Sequence, residues 1–250
     1  MYYYIMEPAQ KHELAWQEKV KNILGDLGIA GETVTPSPAR TIEELAYLGV
    51  IKGYSTIVAV GSEKIINKIT TTIINQKENK DVVLGMIPNN YEGMLAKKIQ
   101  VKDLKEACLA LKHRKLETID LCFVEPNKYF LTLGILESNK TTDAYLSTSF
   151  FKAGLPFNKI TIEPGLKITI ADSSSEQISG KKFLGWLFGK KEKDIYSSLF
   201  YYKKIKIETP DTNISLRVDD EIIAKTPIIC QSRSRALKII VARDNISMKT

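Results

Sequence analysis

The sequence predicts an α/β protein in two parts, a parallel-sheet domain followed by an antiparallel β-sandwich domain. Two observations lead to this fold class. Strand-like and helix-like segments alternate with short connections over residues 1–115, as in βαβ units. From residue 116 onward the apolar segments are short and are separated by turn residues. The predicted domains are therefore 1–115 and 116–250, with a last strand that can return toward the first domain.

The first part divides into strands and helices in order. The strands are expected at residues 2–6, 33–35, 55–60 and 81–87, and the helices at 10–27, 42–50, 64–75, 91–98 and 103–114. Residues 55–60 and 81–87 are apolar runs of the kind that a parallel sheet buries on both faces. Thr41 and Glu44 have the spacing of a capping box at the start of the second helix.

The second part consists of short strands. They are expected at residues 118–124, 129–136, 159–162, 166–171, 202–208, 214–218, 228–230 and 236–241. Pro, Asn and Asp occur between several of these segments, as at 125–128 and 210–213, and these residues favour turns.

Composition limits the function classes. The chain has 250 residues, of which 44% are hydrophobic and 26% charged, as in a soluble globular protein. No apolar run is long enough to cross a bilayer, and no export signal is visible. Three cysteines without metal-ligand spacing fit a reducing compartment, so we expect a cytoplasmic protein. The net charge of +7 favours polyanionic partners, but no RNA-binding motif points to nucleic acid.

Two turns lie where ligands bind in parallel α/β sheets, just outside the carboxyl ends of strands. The first, 61–67, places Gly61 directly after a buried strand and before a helix, where backbone amides can face a phosphate. The second places Asn89 and Asn90 after Pro88, a pattern typical of a tight turn with a helix cap. Taken alone, either turn is also explained as a purely structural connection.

Taken together and in order, these turns resemble the catalytic domain of the diacylglycerol kinase and sphingosine kinase-like lipid kinases, a superfamily shared with NAD kinases. That family has an apolar strand followed by Gly-Gly-Asp-Gly-Thr, a variable residue and Asn. Its next strand ends in a second motif, a Pro-Leu-Gly-Thr-x-Asn-Asp turn. In this chain the first motif corresponds to residues 61–67 and the second, loosely, to 88–94. The family's closing Val-Asp-Gly-Glu corresponds to residues 218–221. The order of elements matches over nearly the whole length.

The resemblance implies transfer of the ATP γ-phosphate to a lipid hydroxyl, with Mg²⁺ as the bridging ion. It implies a catalytic role for Glu221 and Asp219, and a metal-binding role for Glu163. The residues that it implies for nucleotide binding are Gly61, Ser62, Glu63, Lys64, Asn67, Pro88, Asn89 and Asn90. An NAD kinase-like enzyme shares the first motif, but the second turn that it requires has no clear counterpart.

The first motif also departs from the family. Two of its glycines and its threonine are Ser62, Lys64 and Ile65, and its aspartate is Glu63. A side chain at a position that needs positive φ costs about 1–2 kcal/mol. The function that we predict from the sequence is ATP-dependent phosphorylation of a lipid hydroxyl, of the diacylglycerol type, at a membrane surface. The alternative is a catalytically lapsed homologue that acts as a lipid- or protein-binding module.

One further segment, residues 181–191, suggests contact with an anionic membrane. Its lysines, including Lys181 and Lys191, flank an apolar centre that contains Trp186. Aromatic residues favour the membrane interface and lysines are attracted to anionic headgroups. The alternative is a short amphipathic core helix with solvated ends. The membrane interpretation predicts a peripheral protein at the inner face of the membrane.

Overall fold

The computed structural model describes residues 1–8, 14–76, 81–172, 196–210 and 213–243. The chain forms two compact units. The first contains Met1–Leu121, Tyr129–Thr132 and the residues from Arg233 on, and the second contains Cys122–Lys128 and Leu133–Ser232. The predicted fold class is confirmed, because parallel strands with helices come first and antiparallel strands follow.

The first unit contains a parallel sheet in the order β2-β1-β3-β4-β14. Its strands are β1 (Tyr2–Met6), β2 (Glu32–Val34), β3 (Thr56–Gly61) and β4 (Val83–Pro88), with the last residues of β14 (Ile228–Val241). Its helices are α1 (Leu14–Asp26), α2 (Ile42–Ile51), α3 (Glu63–Asn75), α4 (Met94–Lys98) and α5 (Leu104–His113).

Helices cover both faces of this sheet, as side chains of neighbouring residues on β3 show. Gly49 of α2 approaches Ile57, and a Cβ atom there would lie 3.3 Å from Ile57 Cδ1. On the opposite face Gly85 approaches both Val58 and Leu111 of α5. Because successive strand residues point to opposite faces, α2 and α5 lie on different sides of the sheet. This two-sided burial explains why β3 and β4 consist of buried residues throughout.

The capping box that the sequence predicts at the start of α2 is confirmed. The Glu44 amide donates to Thr41 Oγ1 at 3.2 Å, and the Thr41 amide donates to a Glu44 carboxylate oxygen at 2.9 Å. No helix in the described part of the chain is long and apolar enough to cross a membrane.

The second unit is built from antiparallel strands, in the order β10-β9-β8-β7-β11-β14, with the β12–β13 hairpin beside β7. Residues of β5 and β14 occur in both units. The strands not yet given are β5 (Lys115–Val124), β6 (Lys128–Phe130), β7 (Gly134–Ser147), β8 (Lys152–Glu163), β9 (Lys167–Asp172), β10 (Tyr196–Tyr201), β11 (Lys204–Glu208), β12 (Ser215–Val218) and β13 (Glu221–Lys225).

Several strand boundaries differ from the sequence-based ones. The strands expected at 228–230 and 236–241 form one strand, β14, whose exposed middle residues are polar and so lack an apolar signal. The strand expected at 129–136 is divided between β6 and β7. The sequence predicts neither β10 nor β13, because their apolar residues are consecutive and do not alternate with polar ones.

Candidate functional site

The two turns that the sequence singles out lie side by side in the first unit. Gly61 of β3 is opposite Pro88 of β4 in the parallel ladder. The Asn89 amide donates to the Gly61 carbonyl oxygen at 3.0 Å. The carboxyl ends of these strands therefore bring Gly61, Pro88 and Asn89 together, at the edge of the sheet where α/β proteins bind ligands.

Only one residue of the first turn needs to be glycine. Gly61 has φ +145°, in the region that side chains disfavour. Ser62 is extended, with φ −71° and ψ 164°, and is the N-cap of α3. Lys64 lies inside the helix, which begins at Glu63. The backbone strain expected if φ were positive at positions 62 and 64 therefore does not arise.

The carboxylate of Glu7, the residue that follows β1, accepts from both donors of Ser62. Glu7 Oε2 accepts from the Ser62 amide at 2.6 Å, and Glu7 Oε1 accepts from the Ser62 hydroxyl at 2.7 Å. A Cβ atom on Gly61 would lie 2.5 Å from Glu7 Oε2, so the carboxylate also fills the space beside the glycine. Glu7 thus supplies the negative charge that a helix N-terminus favours.

The backbone of Glu7 is fixed on both sides. Its amide donates to the Val60 carbonyl oxygen at 2.9 Å, which extends the β1–β3 pairing by one residue. Its carbonyl oxygen accepts from Gln17 Nε2 of α1 at 2.6 Å. The sheet and a neighbouring helix therefore fix the backbone from which the carboxylate extends to Ser62.

Glu63 connects the two turns. Its Oε1 accepts from the Leu95 amide at 2.8 Å, in the first turn of α4. Gly93, the N-cap of α4, has no side chain to cap the helix, and a Cβ atom there would lie 2.6 Å from Glu63 Oε1. The acidic residue of the first motif therefore caps the helix that follows the second motif.

Asn67 is buried and holds a segment of the first unit that follows β6. Its Oδ1 accepts from the Leu131 amide at 2.8 Å, and its Nδ2 donates to Thr132 Oγ1 at 2.8 Å. Thr71, one helical turn later, donates through Oγ1 to the Tyr129 carbonyl oxygen at 2.9 Å. One face of α3 thus binds residues 129–132 through side-chain hydrogen bonds.

The remaining residues of the two turns differ in exposure. Ile65 is fully buried in the core, whereas Lys64, Asn89 and Asn90 are exposed. Asn90 Oδ1 accepts from the Glu92 amide at 3.0 Å, which closes a local turn. The Tyr91 hydroxyl is buried and has no hydrogen-bond partner among the described residues, and this burial raises the pKa of Tyr91.

The acidic residues implied for catalysis and metal binding lie in the second unit. Asp219 and Asp220 have positive φ and form the two-residue turn between β12 and β13, so that Glu221 is opposite Val218. Val218 is opposite Gly134 of β7, and Gly134 is opposite Ile162 of β8. Glu163, the residue after Ile162, therefore lies one position along β8 from this row of paired residues.

This acidic row does not form a compact ligand set. Strand β7 separates β12 from β8, and two strand spacings amount to about 10 Å. Glu163 also accepts from Lys167 Nζ at 2.8 Å, and this hydrogen bond raises the pKa of Lys167. Across the described ranges, no three His, Cys, Asp or Glu side chains are grouped closely enough to bind a metal ion.

The residues that the sequence predicts for membrane contact, Lys181, Trp186 and Lys191, lie outside the described residues.

Sequence reasoning did not single out Glu7 or the Leu131–Thr132 pair. For Glu7 a signal exists, because it follows β1, and β1 is adjacent to β3 in the sheet. An acidic residue at the carboxyl end of a neighbouring strand is within reach of the turn after β3. The partners of Asn67 carry no such signal, because they are more than sixty residues away and depend on tertiary packing.

The fold matches solved structures, although neither a family model nor a curated protein sequence matches the chain. Three similar structures are of a protein from Bacillus anthracis str. Sterne, described as a "putative diacylglycerol kinase" in two cases and as a diacylglycerol kinase in the third. Their TM-scores are 0.75, 0.75 and 0.72, at 14% identity, and each comparison covers 96% of both chains. This chain therefore has a diacylglycerol kinase-like fold.

Removal of the Glu7 carboxylate tests whether it stabilises the turn. We expect Glu7→Ala to lower the free energy of unfolding by about 1–3 kcal/mol, because two donors of Ser62 lose a charged acceptor. Urea denaturation gives this value. As a control, Glu18→Ala removes an exposed carboxylate of α1 and is expected to change stability by less than about 1 kcal/mol. A Glu7→Ala variant as stable as the wild type would contradict the stabilising role.

Asn67 gives a second test of the same kind. We expect Asn67→Ala to cost about 2 kcal/mol or more, because it leaves the buried Leu131 amide and Thr132 hydroxyl without this partner. Asn90→Ala is the matched control, because it removes an exposed local hydrogen bond and should cost under about 1 kcal/mol. Urea denaturation measures the free energy of unfolding of both variants. Equal losses of stability would contradict the larger contribution that we assign to the buried hydrogen bonds of Asn67.

Proposed function

We propose that this chain, which has a diacylglycerol kinase-like fold, does not transfer phosphate and acts as a lipid-binding module. One observation carries the proposal: the Glu7 carboxylate accepts both hydrogen bonds that Ser62 offers at the start of α3. In the family that the sequence resembles, this turn is the one that approaches the nucleotide phosphates. In this chain a carboxylate of the protein itself accepts from Ser62 at this turn.

The arrangement does not fit a bound phosphate at Ser62. A phosphate oxygen there would compete with Glu7 for the same amide and would lie next to its negative charge. Like charges a few ångströms apart repel strongly where water is partly excluded. The contacts to Val60 and Gln17 fix the backbone of Glu7 beside this turn. Glycine at position 61 leaves no free space either, because Glu7 fills it.

Two more of the residues implied for nucleotide binding, Glu63 and Asn67, are engaged in the same way. Glu63 caps α4 through the Leu95 amide, and Asn67 binds Leu131 and Thr132. Each contact is a hydrogen bond that a ligand would have to replace. Together they support the interpretation that the motif positions of this chain stabilise the fold. We derive no reaction step through ATP or Mg²⁺ at these residues.

An active lipid kinase is the second candidate, and one observation favours it. One row of paired residues in the second unit has acidic residues at or next to its ends: Asp219 and Glu221 on one side and Glu163 on the other. Acidic side chains are therefore present at the positions that the resemblance implies. The resemblance assigns the catalytic and metal-binding roles to these residues. In this candidate, Glu221 accepts the proton of a lipid hydroxyl while Glu7 moves away from Ser62.

A lipid surface is the ligand class that we propose for the module. The net charge of +7 favours anionic partners. The structures that match the fold are described as diacylglycerol kinases, whose name implies a lipid substrate. We propose a peripheral position at an anionic membrane, with residues 181–191 as one element of contact suggested by the sequence.

Nucleotide binding and turnover separate the two candidates. We expect no heat when the wild-type chain is titrated with ATP and Mg²⁺ to millimolar concentration, because Glu7 occupies the turn. We also expect no phosphorylation of diacylglycerol or sphingosine in mixed micelles above a protein-free blank. Isothermal titration calorimetry and transfer of radiolabelled γ-phosphate provide the two measurements.

Glu221→Gln and Glu7→Ala are the informative variants in this experiment. Lipid phosphorylation that Glu221→Gln abolishes would establish the kinase and overturn the module. ATP binding by the wild type that Glu7→Ala leaves unchanged would show that Glu7 does not exclude phosphate. Binding in Glu7→Ala alone would support the role that we assign to Glu7.

A further inference from the structure

The tip of the β7–β8 hairpin projects an aromatic side chain into solvent. Strand β7 ends at Ser147 and β8 begins at Lys152. Between them, Phe150 is 94% exposed. A single exposed apolar residue is ordinary on a protein surface. What distinguishes Phe150 is the construction of the turn and its surroundings.

The turn is held by a local network of hydrogen bonds. Thr148 Oγ1 accepts from the Phe150 amide at 3.1 Å and from the Phe151 amide at 3.3 Å. The Thr148 amide donates to the Phe151 carbonyl oxygen at 2.9 Å. Side-chain bonds of this type fix a turn conformation. The backbone therefore presents the Phe150 ring outward as part of an ordered turn.

Aromatic residues support the base of the tip. The rings of Phe151 and Tyr202 have centroids 5.5 Å apart, and those of Tyr202 and Phe200 are 5.9 Å apart. Strand β11 pairs antiparallel with β7, with Lys206 opposite Ser147. The ring contact with Phe151 brings Tyr202 to the tip, and Lys203 is the next residue in the chain.

The charge around the tip is positive. Lys152 and Lys203 are exposed, and Lys152 Nζ also lies 5.4 Å from the Tyr145 ring centroid. Two further lysines, both in β11, are paired with carboxylates: Lys204 with Glu125 at 3.1 Å and Lys206 with Glu208 at 2.7 Å. These four lysines therefore outnumber the two carboxylates. We call Phe150, Phe151, Lys152, Tyr202 and Lys203 the tip patch.

We propose that the tip patch is a docking surface for an anionic lipid bilayer, with the Phe150 ring in the interfacial zone and the lysines among the headgroups. Aromatic rings favour this zone, and each lysine near an anionic membrane adds attraction. The inference rests on the proposed lipid-binding function, and it adds where the lipid surface is contacted. It uses only residues of the second unit and does not involve Glu7.

The size of the tip favours a bilayer over a protein partner. A stable protein interface buries about 800 Å² on each side, far more than a four-residue turn supplies. An aromatic ring that enters a membrane interface needs no complementary surface. Neighbouring lysines supply the second signal that stable membrane attachment requires in addition to an apolar one.

Vesicle co-sedimentation tests the proposal with the full chain. We expect binding to phosphatidylcholine vesicles that contain phosphatidylserine, and much weaker binding to phosphatidylcholine alone. Phe150→Ser should lower the partition coefficient about tenfold, because most of the transfer free energy of the ring is lost. Lys152→Gln and Lys203→Gln should each lower it about fivefold. Ile51→Ser, which removes an exposed apolar residue of α2, is the control and should bind as the wild type does.

A fluorescent label shows whether the tip itself meets lipid. The native cysteines are all buried, so a thiol introduced by Ser149→Cys can be labelled selectively. We expect an environment-sensitive dye at this position to shift to the blue with phosphatidylserine vesicles. The same dye at Asn139→Cys, exposed elsewhere in the second unit, should not shift.

Each other outcome overturns the inference. Unchanged binding of Phe150→Ser, with no dye shift at position 149, would assign membrane contact to another segment such as residues 181–191. No binding by the wild type would exclude the bilayer as the partner. Lipid-independent dimers that Phe150→Ser dissociates, seen by sedimentation velocity, would make the tip a contact between two copies. The proposed lack of phosphate transfer is unaffected by these results, because turnover is measured separately.

Discussion

The bond between the Glu7 carboxylate and Ser62 is the interaction on which the functional account depends. An exposed helix N-terminus at the end of a parallel strand is a natural anion site, because its amides are unpaired and the helix dipole is positive there. The chain satisfies this site with its own carboxylate, placed by the strand next to β3. The same chemistry that attracts a phosphate is thus used to join β1 to α3.

Glu63 and Asn67 extend this pattern along α3. Glu63 reaches forward to α4, and Asn67 reaches to the segment around Leu131. Both side chains are at positions that the lipid kinase resemblance assigns to a nucleotide site. Their hydrogen bonds instead connect α3 to parts of the first unit that are distant in sequence. The polar residues at these positions therefore contribute to the fold of this chain.

The sequence was most informative where local rules decide the structure. The apolar strands β3 and β4, the capping box at Thr41 and the turn position of Gly61 all follow from periodicity, capping chemistry or strand order. The sequence does not predict strands β10 and β13, because their apolar residues do not alternate with polar ones. The expected strain at Ser62 and Lys64 was an inference from the family motif. It does not arise because α3 begins immediately after Ser62 and takes Lys64 into the helix.

The hydrogen-bond partner of this turn could not be predicted from the sequence, because the contact joins residues that are 55 positions apart.

The measurement that tests the central claim most directly is the backbone amide resonance of Ser62 in isotope-labelled protein, followed while ATP and Mg²⁺ are added. Our account predicts that this resonance stays in place in the wild type, because Glu7 retains the amide. A saturable shift of Ser62 and its neighbours in the wild type would contradict it and would assign the turn to a nucleotide.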